Sequence, residues 1–531
     1  MSFKPTLTKI AGLTLLLSSG LNAAPLFETA SSSESFKAEA QVNQLAATKP
    51  SVENAYVYNV NAKALSASTN QLELNLVPGL TVFANKESSS KSASGGIIWN
   101  GSIASANSAA KGLSKTVSTA TDSAMLINRD GKITGTVRTD GRLFTIRPMA
   151  NGLHMVTELN ENNMKADHPP GAMAELEQQL TERLANNTAL TQQLQAQPQA
   201  DANLLADPVI RVMVLYTNGV PAEVNDIPGL IDLAFAETNQ GYTNSDVAAT
   251  VELAHLGSIN YNSSSISTDL SRLKSTTDGH MDTVHALRDT HDADVVMLIV
   301  PDSGNACGQA GAIGASASTA FAVTAQDCAT GYYSFGHELG HLQSARHNPE
   351  TDGTTTPYAY GHGYRDPGNT WRSVMAYNCT TGCTRINWWS NPDKYRNGTA
   401  MGTNSVSDNS RVLTNTAATV AGFRNGSTGG TGGSISESNL SQSRSNWLRY
   451  SANVPAGRSS LAVTISGGSG DADLYVNKGS APSTGSSTYD CRPYLNGNNE
   501  TCTFSNPGAD TWHIGIRAYS TFSGVSLNAT W

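Results

Sequence analysis

The stretch His337-Glu-Leu-Gly-His341-Leu-Gln-Ser-Ala-Arg-His347 decides which fold and which chemistry the sequence predicts. Four residues of α-helix turn the chain by about 400°, so His337 and His341 lie on one face. Two imidazoles placed in this way can bind one zinc ion, and the neighbouring Glu338 can take a proton from water at the metal. If the helix ends near Ser344, His347 supplies a third ligand.

A second motif strengthens this interpretation. The chain continues to Ser373-Val-Met375-Ala-Tyr377, in which Met375 follows His347 by 28 residues. A bare His-Glu-x-x-His arises by chance in many helices, and a lone Met more often packs in a core than lines a metal site. The third His and the following Met together favour a catalytic metal centre.

These residues resemble the metzincin zinc endopeptidases, whose motif is His-Glu-x-x-His-x-x-Gly-x-x-His followed by a Met-turn. The resemblance implies an α/β catalytic domain with a twisted mixed sheet and an active-site helix. It implies that the ligands of one catalytic Zn²⁺ are His337, His341 and His347. It gives the role of general base to Glu338, and it makes Met375 the hydrophobic floor below the metal.

Three nearby positions refine the resemblance. Tyr377 stands where some metzincins carry a Tyr that approaches the zinc, so we expect it to stabilise the oxyanion. Ser344 replaces the glycine of the motif, and a left-handed backbone there costs a non-glycine residue about 1–2 kcal/mol. Asn348 stands where reprolysin-like members usually have Asp, so a structural carboxylate is lost.

A narrower resemblance covers residues 208–424 and concerns the reprolysin-like peptidyl-Asp metalloendopeptidase (endoproteinase Asp-N) family. It is carried by Tyr358-Ala-Tyr-Gly-His-Gly-Tyr-Arg365, Trp371-Arg-Ser-Val-Met-Ala-Tyr-Asn-Cys379 and Arg385-Ile-Asn-Trp-Trp-Ser-Asn-Pro392. That family cleaves on the amino side of Asp, which requires a buried cation beside the scissile bond. Arg385 is our first candidate for this cation and Arg372 the second, while a surface position stays open for each. We expect an edge strand at Ala320-Phe-Ala-Val-Thr324 to pair with the extended substrate.

The N-terminal region predicts export and latency. Lys4 and Lys9 precede a short apolar run, so residues 1–23 are predicted to be a signal peptide. Residues 24–207 form a predicted β-rich unit that resembles the propeptides of reprolysin-like zymogens. It contains no cysteine, which excludes a cysteine switch and leaves Asp, Glu or His as the residue at the zinc. An independent binding domain is the alternative.

A Gly/Ser-rich linker at 425–435 precedes a different C-terminal unit. Residues 436–531 resemble the bacterial pre-peptidase C-terminal domain, a small β-sandwich found on secreted proteases. The resemblance allows contact with insoluble polymers, to which exposed aromatics such as Tyr494 and Tyr519 can contribute. Asp471 and Asp473 are candidate Ca²⁺ ligands, although two Asp residues in a Gly-rich turn more often cap it.

Composition agrees with export and excludes some classes of partner. The chain has 531 residues, a net charge of -9 and 15% charged residues, against about 25% in typical soluble proteins. No basic surface or membrane-spanning run is evident, so nucleic-acid and membrane partners are not expected. We expect a monomer. The six cysteines form an even set, and proximity predicts three short-loop disulfides: Cys307–Cys328, Cys379–Cys383 and Cys491–Cys502.

The sequence therefore predicts a secreted zinc metalloendopeptidase that acts on proteins or peptides, with cleavage before Asp as the expected specificity. Two alternatives stay open. One is a broad-specificity metzincin protease without that preference. The other is a secreted polymer-binding protein, or adhesin, whose zincin domain is an inactive scaffold.

Overall fold

The computed structural model describes residues 25–30, 42–43, 45, 47–103, 122–185, 207–301, 306–424, 434–454, 458, 460–485, 488–505, 507–508 and 510–531. The predicted signal peptide and the linker up to residue 433 lie outside this part of the chain. The chain divides into two compact units. The first comprises residues up to Met164 together with Val224–Ala236, and the second comprises Lys165–Glu223 together with Glu237–Trp531.

The first unit is built on a nine-stranded antiparallel sheet. Its strands are β1 (Phe27–Thr29), β2 (Val52–Val60), β3 (Gln71–Val77), β4 (Leu80–Lys91), β5 (Ile97–Ile103), β6 (Ser123–Arg129), β7 (Lys132–Thr139), β8 (Arg142–Pro148) and β9 (His154–Leu159). Their order across the sheet is β1-β2-β9-β8-β7-β6-β5-β4-β3. From β3 to β9 each strand pairs with the next along the chain, as a meander does.

Tight turns explain why β6, β7 and β8 pair as hairpins. Asp130 and Gly131 join β6 to β7 with φ values of 52° and 83°, and Asp140 and Gly141 join β7 to β8 at 49° and 76°. Positive φ at both central positions is what a two-residue hairpin requires, and Asp-Gly pairs supply it at low cost. The predicted β-rich meander is therefore confirmed over this stretch.

The second unit contains a five-stranded mixed sheet in the order β11-β10-β12-β14-β13. Its strands are β10 (Val209–Tyr216), β11 (Thr250–Ser258), β12 (Val295–Val300), β13 (Gly308–Ala310) and β14 (Phe321–Ala325). Four strands are parallel, and β13 alone runs antiparallel to its neighbour β14. All six residues of β12 are buried, as expected for a strand covered on both faces. The predicted mixed sheet is confirmed.

Seven α-helices are described along the chain: α1 (Ala172–Ala185), α2 (Val220–Glu223), α3 (Ile227–Asn244), α4 (Ile266–Lys274), α5 (Thr283–Thr290), α6 (Ser334–Leu342) and α7 (Asn409–Ala421). Helix α6 carries the His-Glu-x-x-His motif, and all nine of its residues are buried. Two short ladders follow it. They are formed by β15 (Trp371–Arg372) with β16 (Thr384–Arg385) and by β17 (Asn391–Arg396) with β18 (Thr399–Met401).

The predicted position of the edge strand is wrong. Residues 321–325 form β14, which lies between β12 and β13 and is therefore interior. The edge of the sheet is β13, only three residues long. Its sequence, Gly-Gln-Ala, has no β-branched or aromatic residue, so composition does not distinguish it from a loop.

The C-terminal region is rich in strands, as predicted: β19 (Ser434–Gln442), β20 (Trp447–Val454), β21 (Ser460–Ser466), β22 (Ser469–Lys478), β23 (Glu500–Ser505) and β24 (Asp510–Thr530). The 21-residue strand β24 organises them. Its first half pairs with β20 and β22, and its second half pairs with β19 and β21. Alternate residues of these strands form an apolar core that includes Leu474, Ile516 and Leu527.

The three predicted disulfides are present. Cys307 bonds to Cys328, Cys379 to Cys383 and Cys491 to Cys502, which leaves no cysteine free. Among the described helices, none combines the length and the apolar character needed to cross a bilayer. The predicted domain boundaries and monomeric state stay predictions.

Candidate active site

Helix α6 is placed by close packing at Gly340. A Cβ atom at this position would lie 2.7 Å from the Trp389 ring and 3.0 Å from Met375 Sδ. Only glycine therefore allows the helix to approach the Met375 segment this closely. As a result, the turn between His337 and His341 rests against Met375, which is itself fully buried.

The chain reverses sharply after α6. The helix ends at Leu342, and Ser344 has a φ of 75°, the left-handed conformation expected where the motif has glycine. Arg346 then joins the Gly361–Gly363 segment through two backbone hydrogen bonds of 2.8 and 2.9 Å. This turn brings His347 back over the face of α6 that carries the other two histidines.

Four histidine side chains meet at one point, and three of them are the predicted ligands. The fourth is His168, from the stretch that precedes α1. The Nε2 atom of His347 lies 3.1 Å from that of His337 and 3.0 Å from that of His341. The Nε2 atom of His168 lies 3.3, 3.1 and 3.0 Å from those of the other three.

Backbone carbonyls fix the orientation of three of these rings. His337 Nδ1 donates to the Val374 carbonyl at 3.0 Å, His341 Nδ1 to Ala345 at 2.9 Å and His168 Nδ1 to Gly308 at 3.2 Å. A carbonyl oxygen only accepts, so the proton of each neutral ring is on Nδ1 and the lone pair of Nε2 is free. The lone pairs therefore face one another, and a cation at their centre is what would satisfy them.

The cluster fits a zinc ion. Zinc–nitrogen bonds of about 2.0–2.1 Å at tetrahedral angles put the ligand nitrogens about 3.3 Å apart, close to the separations seen here. Metal ligation requires neutral imidazoles. Burial lowers the pKa of His337 to about 3 and also lowers the pKa values of His341 and His347.

Glu338 faces the cluster from α6 and is fully buried. Neither carboxylate oxygen accepts a hydrogen bond of ordinary geometry from the described residues. The His168 ring is close by, with its Nδ1 3.6 Å from Oε1. Burial and the Asp167 carboxylate raise the pKa of Glu338, and Arg385 and the backbone at Ala310 oppose this only partly. Burial therefore shifts this carboxyl group toward its protonated form.

The Met-turn segment supports the other side of the cluster. The Tyr377 ring stacks on His347 with centroids 4.1 Å apart. Asn348 accepts the backbone N–H of Tyr377 at 2.9 Å and donates to Glu350 at 2.6 Å. Although Asn348 lacks the carboxylate of reprolysin-like members, its amide oxygen still ties the third His to the Met-turn.

The two candidate arginines lie side by side, because Arg372 of β15 is in register with Arg385 of β16. Arg372 is fully buried and donates to the Ala376 carbonyl at 2.6 Å and the Tyr332 hydroxyl at 3.1 Å. Arg385 is equally buried, and its guanidinium lies 4.3 Å from the Tyr332 ring centroid. It reaches the carboxylate of Asp167 at 2.7 Å. Neither arginine is on the surface.

Comparison with known proteins places this site in a family. The model of Metallo-peptidase family M12 matches residues 206–390, and that of the bacterial pre-peptidase C-terminal domain matches residues 448–518. The peptidyl-Asp metalloendopeptidase of Stenotrophomonas maltophilia (strain K279a) is 43% identical over 420 residues, which cover 78% of this chain and 97% of the relative. That of Xanthomonas campestris pv. campestris is 40% identical over 433 residues, 80% of this chain and all of the relative. The chain belongs to the peptidyl-Asp metalloendopeptidase family.

Membership settles the reaction class. The protein is a zinc-dependent metalloendopeptidase, a hydrolase that acts on proteins or peptides. A shorter similarity links it to the neutral protease of Vibrio proteolyticus, which is 47% identical over 91 residues, 17% of this chain and 14% of the relative.

Two residues of this metalloendopeptidase site escaped the sequence analysis. His168 and Asp167 belong to Asp167-His168-Pro169-Pro170, a run without metal-ligand spacing. Six histidines lie outside the motif in residues 154–291 alone, so composition did not single one out. The available signal was the absence of cysteine from the N-terminal region, which left Asp, Glu or His.

The candidate calcium ligands have protein partners. Asp473 is buried and pairs with Arg492 at 2.8 Å. Asp471 accepts the backbone N–H of Gly497 at 3.0 Å. Both contacts are those of residues that stabilise a turn, and calcium binding stays a prediction.

Proposed function

We propose that this chain is made as a secreted preproenzyme whose mature form uses one zinc ion to cleave proteins on the amino side of Asp. The supporting observation is the ion pair between Arg385 and Asp167. In this pair the Asp167 carboxylate contacts a fully buried guanidinium, and the next residue, His168, belongs to the histidine cluster. The name of the relatives, peptidyl-Asp metalloendopeptidase, supports the same specificity.

Arg385 has the properties that selection for Asp requires. Its guanidinium is held from two sides, by a hydrogen bond of 3.1 Å to the Tyr332 carbonyl and by the Tyr332 ring. A positioned guanidinium can bind a carboxylate through charge-assisted hydrogen bonds. A neutral side chain in the pocket would leave the buried charge unpaired, which is costly. Discrimination between Asp and Asn therefore follows from burial of Arg385.

The chain's own residues can carry out the proton transfers. His337, His341 and His347 would hold zinc, which supplies Lewis-acid activation of water and of the scissile carbonyl. Glu338 takes the proton of the attacking water and delivers it to the leaving amine. A buried carboxylate with a raised pKa suits this double role, because it retains the proton between the two steps.

Tyr377 is the candidate for oxyanion stabilisation. Its ring stacks on His347, so the phenol lies directly beside the ligand cluster. Burial raises the pKa of this phenol far above its usual value. It therefore stays a hydrogen-bond donor, which is the form that stabilises negative charge on oxygen.

A paired-peptide digest tests the proposal. The processed enzyme is given peptides that differ only in Asp or Asn at one position, with and without a zinc chelator, and new termini are identified by mass spectrometry. We expect cleavage before Asp, abolished by the chelator and restored by Zn²⁺. Chelator-sensitive cleavage without a preference for Asp would reject the pocket and leave the metalloendopeptidase. Cleavage that persists without metal would reject the mechanism.

A second role, contact with insoluble polymers, is favoured by exposed aromatics in the C-terminal region. The side chains of Tyr494 and Tyr519 are 59% and 48% exposed. The guanidinium of Arg492 stacks on Tyr494 at 3.7 Å, which holds the ring outward. Sedimentation with insoluble collagen or chitin tests this role, and the Tyr494→Ala, Tyr519→Ala double variant should sediment less than the parent. Equal sedimentation of the two would reject the role.

A further inference from the structure

We propose that Lys165–Ala185, here called the blocking segment, is a built-in inhibitor: His168 is the fourth ligand of the metal centre, and Asp167 fills the Arg385 pocket. This inference rests on the proposed zinc site and Asp specificity, and it adds their regulation. The blocking segment and the histidine motif belong to the same compact unit.

The backbone of the segment is fixed beside the edge of the mixed sheet. Cys307 N–H donates to the Ala166 carbonyl at 2.8 Å, and Gly308 N–H donates to the Asp167 carbonyl at 2.9 Å. Gly308 is the first residue of β13, the edge strand. A Cβ at Gly308 would lie 2.5 Å from Glu338 Oε1. The segment therefore occupies backbone donors directly beside the candidate base.

His168 completes the coordination of the centre. Its Nε2 atom is within 3.3 Å of all three motif nitrogens. A catalytic zinc site keeps one position open for water or substrate, whereas a four-ligand protein site is closed. His168 is only 6% exposed and the three motif histidines at most 1%. In this form neither water nor a substrate carbonyl has a place at the metal.

Asp167 imitates the substrate residue that the enzyme selects. Its carboxylate binds Arg385 Nη2 at 2.7 Å and is buried with it. Two adjacent side chains thus satisfy two parts of the site, the metal and the selectivity cation. The enzyme cannot cleave the blocking segment while it is bound in this way, because the His168 ring occupies the position that the attacking water needs.

Helix α1 adds a second anchor to the blocking segment. Glu177 forms an ion pair with Arg346, the residue directly before His347. Leu176 and Leu180 pack on Ile313 in a small apolar cluster. Arg183 donates to the Ile313 carbonyl at 3.2 Å. The anchor is mostly polar and small, so the segment can be held in the precursor and still be released.

Cobalt spectroscopy of the full-length chain tests the inference without using peptide cleavage. The parent carries Glu338→Gln, so that it does not digest itself, and is loaded with Co²⁺. We expect its visible spectrum to be insensitive to azide. In His168→Ala the spectrum should change and respond to azide, because a coordination position opens. A chelator should remove Co²⁺ at least about tenfold faster, since even outer-shell partners are worth about 10- to 100-fold in metal affinity.

Two further variants make the result decisive. His280→Ala, which changes a histidine outside the cluster, should behave like the parent. If circular dichroism shows that His168→Ala is unfolded, His168→Asn replaces it, because the amide can still donate to the Gly308 carbonyl. Identical azide responses in the parent and in the folded His168 variant would overturn the inference and leave the proposed protease intact. A parent that binds no Co²⁺ would instead overturn the proposed metal site.

Discussion

The two halves of the histidine cluster are held by different forces. The motif half, with His337, His341 and His347, is fixed by a buried helix, a left-handed turn and ring hydrogen bonds to Val374 and Ala345. The other half, His168, depends on the blocking segment. That segment is held by two backbone hydrogen bonds, a few ion pairs and one small apolar cluster.

This difference explains how a metal centre can have three fixed ligands and a fourth ligand that is released. Close packing around α6 makes the three motif ligands part of the core, so removing any of them disturbs the fold. Water can replace the backbone hydrogen bonds of the blocking segment at little net cost, because a neutral intramolecular hydrogen bond contributes only about 0.5–1.5 kcal/mol. The buried Arg385–Asp167 pair costs more to break, but a substrate carboxylate can take the place of Asp167 after release. The motif half is therefore built to stay, and the His168 half is built to leave.

The largest expected effect comes from removing the general base while all four histidines of the cluster are kept. Glu338→Gln removes the general base and keeps the shape of the side chain. We expect peptide cleavage by the processed enzyme to fall by about 10²–10⁴-fold, the usual contribution of general acid–base catalysis. Bound zinc, measured by mass spectrometry of the metal, should stay at one per chain. Turnover at the parent rate would exclude Glu338 as the base.

Next in size is the contrast between the paired arginines. Arg385→Met should reduce cleavage of Asp peptides by about 10- to 100-fold, since a hydrogen bond to a charged group is worth about 1.5–3 kcal/mol. Cleavage of Asn peptides should change little, so the Asp-to-Asn ratio of kcat/KM is the quantity to measure.

Arg372→Met is the matched control, because its guanidinium is engaged by the Ala376 and Cys383 carbonyls and the Tyr332 hydroxyl. This variant should lower the free energy of unfolding by about 2–3 kcal/mol, from unpaired buried acceptors, and keep the Asp-to-Asn ratio. A lost ratio in Arg372→Met with a retained ratio in Arg385→Met would exchange the two roles.

The motif half could be predicted from the sequence because its geometry depends on residues that are close together in the chain. The spacing of His337 and His341 follows from helix geometry, and Ser344 takes the left-handed conformation that its place in the motif demands. Asp-Gly pairs likewise determined the hairpins of the first unit, and short sequence separations determined the disulfides.

The His168 half of the cluster could not be predicted in this way. His168 lies 169 residues before His337, and no periodicity links residues so far apart. Its partner Asp167 likewise pairs with an arginine 218 residues away. The edge strand was misplaced for a related reason: β14 and β13 differ in their neighbours across the sheet, which their own residues do not encode.

A smaller effect tests how weakly the blocking segment is anchored. Glu177→Gln removes the ion pair with Arg346, while Asp352 remains 3.6 Å from that guanidinium. We expect a loss of about 1 kcal/mol, or about fivefold more of the released form. Hydrogen exchange at the Gly308 amide, which donates to Asp167, reports release. Glu182→Gln, on the exposed side of the same helix, should leave this exchange unchanged; equal rates in all three proteins would show that α1 is not an anchor.

The smallest expected effect concerns the turn that fixes His347. Ser344 holds a φ of 75° although it carries a Cβ, so Ser344→Gly should raise the free energy of unfolding by about 0.5–1 kcal/mol, after the extra chain entropy of glycine is subtracted. Denaturant unfolding in the Glu338→Gln background measures this change. Ser344→Ala is the matched control: it removes the hydroxyl and keeps the strained backbone, so it should not stabilise. If both variants stabilise equally, burial of the hydroxyl is the source of the cost. If only the glycine variant stabilises, the cost comes from the strained backbone at Ser344. The motif half then tolerates this strain because packing around α6 requires a left-handed turn before His347.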